Sequence, residues 1–434
     1  MKRLVFRTVI ITAGLWAVTA FAQDRLTLKE SAELILKNNE QVQIAAEAMT
    51  GAGLKINESK SLYWPQVSVG GAYTRMSLFG EIQIPYQGEM MTFKFGTPNN
   101  YSFRASVMEQ AFNWGRTART VDMSKAGLDL AQDGLLMAKH ILSYQIVPLF
   151  YGTVFFREAI KVLDDNLKAF EKKLDIMDER YKAGLASSFE TNLMRVQIST
   201  LQGQKLDFEN SINKFRIAFN GLSGREEKAA FEPDAELVFE QADFNKDELI
   251  SEALANRVEF QQVEHQLDLG RASLGLAKTG NKPTLTATFN YEFRNGFMPE
   301  MEKIKGNWTA LLSISYPAFD GFRVSSQVAQ AESNLKAVEL RRTDLARTVV
   351  MEIESALSDI KTIEQKLVVE KTKIKQAEDT LRIAEERYEN GLLSATDLVD
   401  AQNGLENARL NYLQLIYNYI LSKYSLFRSC GRKI

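Results

Sequence analysis

The sequence is poor in the residues that break helices, form disulfides and bind metals. Its 434 residues include 8 prolines, 1 cysteine and 2 histidines, whereas an average proline content of about 5% would give roughly twenty prolines. The single Cys430 excludes an internal disulfide and a cysteine-based zinc site, and two histidines are too few for a histidine-rich metal centre. So few helix breakers in so long a chain favour long helices.

The charge balance and the motifs also narrow the function. The chain has 53 basic and 55 acidic residues, a net charge of −2 that gives no reason to expect a nucleic-acid partner. It contains no glycine-rich phosphate loop, no nucleophile with a positioned base and no metal-ligand cluster. We therefore expect neither an enzyme nor a cofactor- or metal-binding protein.

The first 22 residues have the pattern of a secretory signal. Lys2, Arg3 and Arg7 precede an apolar run over residues 9–18, and the segment closes on Ala20-Phe21-Ala22. An uncleaved anchor is the alternative, although the apolar run is shorter than the ~20 residues that a span requires. Cleavage would lower the net charge to about −5. Because no later segment predicts a transmembrane helix, we expect an exported protein that is either soluble or inserted in an outer membrane as a barrel.

The chain is predicted to contain two tandem repeats. Asn38-Asn39-Glu40-Gln41-Val42 precedes Asn256-Arg257-Val258-Glu259-Phe260 by 218 residues. Later landmarks, such as Phe112-Asn113-Trp114-Gly115-Arg116 and Phe319-Asp320-Gly321-Phe322-Arg323, are 207 residues apart. An eleven-residue insertion therefore lies between Pro65 and Phe112, where residues 76–100 are predicted to form a long loop.

Each repeat is predicted to contain a helix, two strands, a long helix and a further helix. The first repeat is 23–221, with strands at about 66–75 and 101–111 and helices at about 115–182 and 188–221. A linker follows at 222–247, and the second repeat is 248–434, with strands at about 284–294 and 307–317 and helices at about 322–389 and 395–428. Pro148 is expected to kink or locally unwind the first long helix.

The helices have the apolar spacing of coiled coils. Steps of three and four alternate in the first long helix at Val121, Ser124, Leu128, Ala131, Leu135, Ala138 and Leu142, and in the last helix at Leu398, Ala401, Leu405, Ala408, Tyr412, Leu415 and Tyr419. Sustained spacing of this kind predicts left-handed supercoiling. An antiparallel bundle with a filled core shares the pattern, so periodicity leaves both possibilities open.

The strands alternate between polar and apolar residues. Residues 284–294 place Leu285, Phe289 and Phe293 on one face and threonine and charged residues on the other. Strands of about ten residues can cross a bilayer when tilted, although a soluble sheet has the same alternation. Four strands cannot close a barrel around a channel, and an open edge is not tolerated in lipid. Three chains together would supply twelve strands.

The order of these features, the Phe-x-x-Gly-Arg strand exit and the twofold Arg-Tyr-x-x-Gly-Leu-x-Ser turn resemble the TolC family of outer-membrane efflux and secretion ducts. The resemblance covers nearly all of the chain after the signal. It implies a mainly α protein with β: a homotrimer whose twelve-stranded outer-membrane β-barrel, four strands per chain, continues into a long periplasmic α-helical barrel. It also implies contact with outer-membrane lipid, a periplasmic adaptor (membrane fusion protein) and an inner-membrane pump, and it places residues 222–247 in a belt around the tube.

The resemblance assigns roles to residues at the periplasmic tip. Asp397 and Asp400 would form electronegative rings at the pore entrance, and Glu190 and Tyr388 would belong to the gate, with Leu393 where the family has a basic partner. The alternative roles are helix capping for Glu190 and Asp397, each predicted to complete a capping box, and core packing for Tyr388. The residues assigned to adaptor contact are Gly184, Leu185, Ala186, Ser187, Gly391, Leu392, Leu393 and Ser394.

Three functions are compatible with these predicted features. The exit duct of a tripartite efflux system that passes small molecules is the preferred hypothesis, and the outer-membrane duct of a type I protein secretion system is an alternative of the same class. A structural periplasmic coiled-coil envelope protein without a pore is an alternative of a different class. Lipid-compatible strands with rows of threonine and serine on their polar face favour a pore.

Overall fold

A computed structural model describes residues 25–77, 80–184 and 186–434. The predicted signal segment lies outside the described residues. The fold is mainly helical with a smaller β component, as predicted. None of the described helices is long and apolar enough to cross a membrane. The strands are β1 (Arg25–Leu26), β2 (Gln66–Arg75), β3 (Glu81–Tyr86), β4 (Glu89–Lys94), β5 (Asn99–Phe112), β6 (Glu232–Pro233), β7 (Thr284–Arg294) and β8 (Lys305–Ser315). The helices are α1 (Leu28–Asn38), α2 (Glu40–Lys60), α3 (Arg116–Lys182), α4 (Ser188–Ser223), α5 (Lys246–Asn256), α6 (Val258–Ala277), α7 (Arg323–Glu389) and α8 (Ala395–Ser429).

Four strands form one antiparallel sheet in the order β2, β5, β7, β8. On its polar face Arg104 of β5 donates to Glu292 of β7 at 2.8 Å. The opposite face is aromatic, and the rings of Tyr73 and Tyr101 lie 5.2 Å apart between centroids. Most side chains of both faces are exposed, so within one chain the sheet covers no core.

The segment predicted as a long loop contains a β-hairpin. Strands β3 and β4 pair in antiparallel register, with Ile82 opposite Phe93 and Ile84 opposite Met91. Gln87 and Gly88 connect them with positive φ angles of 51° and 88°, as a two-residue type I′ turn requires. The loop prediction gave too much weight to the glycine and proline of this segment and too little to its alternating apolar residues.

The two long helices each contain 67 residues, α3 and α7, and are therefore each about 100 Å long at ~1.5 Å per residue. Helix α3 continues through Pro148, so the local unwinding expected there is not observed. Tyr417 of α8 donates to the carbonyl oxygen of Pro148 at 3.3 Å. Helix α3 of the first hairpin packs against α8 of the second.

The helix predicted to open each repeat is in fact two helices. The backbone becomes extended at Asn39, between α1 and α2, and again at Arg257, between α5 and α6, with ψ angles of 131° and 128°. The apolar residues follow one helical period across both helices of each pair, so the sequence predicted a single helix without a break. The twofold Asn-Asn-Glu and Asn-Arg-Val motifs therefore mark helix joints.

Each joint packs against the end of a later helix. Asn38 and Asn39 donate from their amide groups to the carbonyl oxygens of Ser223 and Leu222 at the end of α4, at 3.1 and 2.8 Å. Gly431, just after α8, lies against the backbone of the Arg257 joint so closely that a Cβ there would be 2.9 Å from backbone atoms. The two halves of the chain thus use the same arrangement, in which the joint between a short and a longer helix packs against the end of a later helix.

Apolar contacts between helices are distributed in several clusters along the molecule. One cluster near the joints includes Ile35, Ile146, Phe150 and Phe219, all with no exposed surface. Another cluster nearer the hairpin ends is formed by Leu163, Leu167, Phe170, Met177, Met194, Leu201, Ala395 and Val399. The core is therefore a chain of interhelical seams, as expected for coiled coils.

We predict that Asn39→Ala destabilises the protein by about 2 kcal/mol, because it removes a helix cap and a buried hydrogen bond. Its side chain accepts from the Gln41 backbone N–H at 2.9 Å and donates to Leu222. The measurement is the guanidinium-induced unfolding midpoint. Asn57→Ala, at an exposed position of α2, is the matched control; equal midpoints for the two variants would contradict the prediction.

Candidate functional site at the hairpin tips

The two helical hairpins end in turns with the same geometry. Gly184 follows α3 and Gly391 follows α7, with φ angles of 72° and 74°. Each glycine N–H donates at 3.0 Å to the carbonyl oxygen three residues earlier, in Tyr181 and Tyr388. A side chain at either position would strain the backbone, because only glycine adopts this left-handed conformation without cost.

The helices that leave the two tips are capped differently. Ser187 and Glu190 form the predicted capping box: the Ser187 N–H donates to Glu190 Oε2 at 2.9 Å, and the Glu190 N–H donates to the Ser187 hydroxyl at 3.4 Å. At the other tip the Asp397 N–H donates to Ser394 Oγ at 3.2 Å, and the Asp397 carboxylate accepts from that hydroxyl. In the described part of the chain the Ser394 N–H donates no reciprocal bond to the Asp397 carboxylate, so the second predicted box is only half formed. Aspartate is one methylene shorter than glutamate, which accounts for the difference.

The structure brings both predicted gate residues close to a cation. The Arg180 guanidinium lies 5.8 Å from the ring centroid of Tyr388. Burial raises the pKa of Tyr388, the negative charge of Glu190 raises it further, and Arg180 opposes both effects. Glu190, Tyr388 and Arg180 thus form one electrostatic cluster, which joins the α3–α4 hairpin to α7.

Tyr388 also packs against the apolar cluster near the hairpin ends, so its predicted core contact is present as well. The resemblance places the basic partner of the gate at Leu393, so the sequence did not predict Arg180 as a partner of Tyr388. The sequence offered one indication of a role for Arg180 at the tip. It precedes Gly184 by four residues, just as Arg387 precedes Gly391.

The two predicted ring residues lie on one exposed face of α8. Asp397 and Asp400 are exposed, whereas Leu398 and Val399 between them are 2% and 5% exposed and face the core. Asp397 is engaged by Ser394. Asp400 forms no ion pair with any part of the chain that the structure describes. Its carboxylate is therefore available to solvent.

The residues predicted to contact an adaptor are mostly at the surface. Leu392 is 77% exposed, which is unusual for a large apolar side chain. Leu185, the corresponding residue of the other tip, lies outside the described residues. Ala186 and Leu393 are half-buried, and the exposed members are Gly184, Ser187, Gly391 and Ser394.

The chain is similar to known proteins in both sequence and fold. The family model described as outer membrane efflux protein matches residues 249–432. The match begins within α5 and ends just after α8.

Relatives of the family align over nearly the whole chain. The toluene efflux pump outer membrane protein TtgC of Pseudomonas putida is 20% identical over 93% of this chain and 82% of its own length. The outer membrane protein TolC of Escherichia coli is 22% identical over 99% of this chain and 87% of its own.

Solved structures show the same fold. VceC of Vibrio cholerae superimposes with a TM-score of 0.76 at 16% identity, covering 94% of this chain and 96% of VceC. The CmeC outer membrane channel of Campylobacter jejuni has a TM-score of 0.77 at 20% identity, covering 94% of this chain and 86% of CmeC.

Above the tips, a buried polar network connects the two hairpins of this chain. Asn166 of α3 donates to Glu406 of α8, and Gln402 of α8 donates to the Asn166 carbonyl oxygen at 2.6 Å. These three side chains are only 5–8% exposed. Burial raises the pKa of Glu406, and the Asn166 hydrogen bond partly offsets this effect.

Lys173 extends the network to a third helix. Its ammonium group donates to Gln402 at 2.8 Å and pairs with Glu385 of α7 at 2.9 Å. The network therefore holds α3, α7 and α8 in one register near the hairpin tips. Its residues lie far apart in the sequence, and no local pattern indicated that they meet.

We predict that Lys173→Met weakens the contact between the hairpins, because Gln402 and Glu385 both lose a charged donor. The expected cost is about 2 kcal/mol, measured as faster amide hydrogen exchange in α8 around Gln402. The adjacent Lys172→Met, at an exposed position, is the matched control. Equal exchange in the two variants would show that the network does not stabilise this register.

Proposed function

We propose that this chain is the outer-membrane exit duct of a tripartite efflux system and passes small molecules from an inner-membrane pump and a periplasmic adaptor to the outside. The observation that carries the proposal is the continuity of an amphipathic four-stranded sheet with helices about 100 Å long, in a chain whose residues 249–432 match the model of the outer membrane efflux protein family. Relatives over most of its length are named as outer-membrane components of efflux pumps.

The proposed assembly is a homotrimer with a twelve-stranded barrel in the outer membrane and a helical barrel that crosses the periplasm. Support comes from the free edges of β2 and β8, since each of these strands pairs on one side only in the described chain. Backbone N–H and C=O groups must be paired in lipid, and closing the sheet with further copies satisfies them.

The tips of the hairpins are proposed as the entrance. In a trimer Asp397 and Asp400 would supply six carboxylates around the opening, attracting cations and binding polyvalent ones. Glu190, Tyr388 and the neighbouring Arg180 would hold the hairpins together there. The exposed Leu392 and the turns around Gly184 and Gly391 would receive the adaptor.

The function is tested in a deletion strain of the source bacterium. We expect greater sensitivity to drugs and detergents, rescued by the wild-type gene, with secreted proteins exported as before. Loss of an exported protein with unchanged drug sensitivity would favour the secretion duct instead. A protein that forms no ion-conducting pore in planar bilayers would contradict any duct.

The entrance is tested by the double variant Asp397→Asn with Asp400→Asn. We expect lower cation selectivity and relief of block by trivalent cations by about tenfold or more, because the fixed negative charge is removed while the side-chain size is kept. Single-channel recording measures both. Asp359→Asn, at an exposed position of α7 distant from the tip, is the control, and unchanged block in the double variant would refute the assignment.

A further inference from the structure

The arginines that end the segments Phe112-Asn113-Trp114-Gly115-Arg116 and Phe319-Asp320-Gly321-Phe322-Arg323 line one cavity. Arg116 is the first residue of α3 and Arg323 the first of α7, so the motifs place equivalent side chains just after the strands end. The cavity has a volume of about 360 Å³. Its polar lining is Arg116, Arg323, Ser273, Gln327, Gln330 and Asn334.

The charged side chains that line this cavity, Arg116 and Arg323, are both positive. No described residue that lines the cavity is acidic. Arg116 forms no ion pair within the described part of the chain, and Arg323 has only a long contact of 3.8 Å to Asp320 and a 3.3 Å hydrogen bond to Gln327. Two guanidinium groups with neighbouring amide and hydroxyl donors suit an oxyanion, because planar guanidinium forks match carboxylate and phosphate geometry.

The cavity lies where α6 separates the two arginine-bearing helices. Helix α6 lies between α3 and α7: a Cβ at Gly275 would lie 3.3 Å from Arg119 of α3, and one at Gly270 would lie 3.0 Å from Leu335 of α7. Residues of α6, Arg116 of α3 and residues of α7 together line the cavity. In a three-helix layer the outer two helices approach one another on the concave face, which faces inward when such layers close into a tube.

We propose that Arg116 and Arg323 form a binding site for the carboxylate or phosphate group of an anionic solute, in the inner wall at the foot of the sheet. The inference rests on the proposed duct, since the concave face becomes a lumen only in a closed assembly. An anion leaving the helical tube would exchange water for these donors before it enters the barrel.

Binding is tested with inorganic pyrophosphate and the detergent-solubilised full-length protein, by calorimetry at low ionic strength. We expect saturable binding to the wild type, about tenfold weaker binding to Arg116→Gln or Arg323→Gln, and none to the double variant, because each change removes a charged donor. Replacing both arginines with lysine keeps the charge and should retain part of the affinity. Arg119→Gln, an exposed cation of the same helix that does not line the cavity, should bind as the wild type does.

A second measurement separates this site from the duct itself. Pyrophosphate should reduce the current through wild-type pores in planar bilayers, and the double variant should lose this block while conducting normally. Absence of calorimetric binding to the wild type, or equal weakening by Arg119→Gln, would overturn the site. Failure of the wild type to conduct would count against the proposed duct alone, because calorimetry still decides whether the anion binds.

Discussion

The two unpaired edges of the sheet are the constraint on which the rest of the molecule depends. Strands β2 and β8 each present a row of backbone N–H and C=O groups with no partner in the described chain. In water such an edge invites aggregation, and in hydrocarbon each unsatisfied group costs several kcal/mol. A sheet that is exposed on both faces and at both edges is therefore stable only within a larger closed surface.

The helices share this incompleteness. Apolar side chains of α7 such as Leu340, Val368 and Val369 are 60–69% exposed in the single chain, although they belong to a helix whose other face is packed. An exposed apolar stripe on a long helix predicts another helix against it. Edge strands and helix stripes thus favour the same kind of partner, which is a further copy of this chain.

Within the chain, polar contacts determine the register that apolar seams leave open. Seams of leucine, alanine and phenylalanine allow long helices to slide by a heptad at modest cost. A buried hydrogen bond forms only in the one register that brings its donor and its acceptor together. The network of Asn166, Gln402 and Glu406 defines one register near the tips, and the Asn39 and Gly431 contacts define it at the joints. Polar residues within coiled coils are known to specify register in this way.

The features predictable from the sequence were those encoded locally. Residues 284–294 alternate with period two, and β7 occupies those residues. The turn chemistry of Gly184 and Ser187 indicated a helix end and a helix start within a few residues, and both are observed. The helix breaks at Asn39 and Arg257 were missed because apolar periodicity continues across them, although their side chains serve the joint.

The sequence by itself determined the length and type of the long helices and of the strands in the four-stranded sheet, the glycine turns at the tips, and the residue types exposed there. Only the tertiary structure decided which distant residues meet: Arg180 with Tyr388, Lys173 with Glu385, and Arg116 with Arg323 in one cavity. The physical reason is that periodicity and capping act over a few residues. Contacts between helices depend instead on register and rotation, which are set by packing along the whole length of each helix.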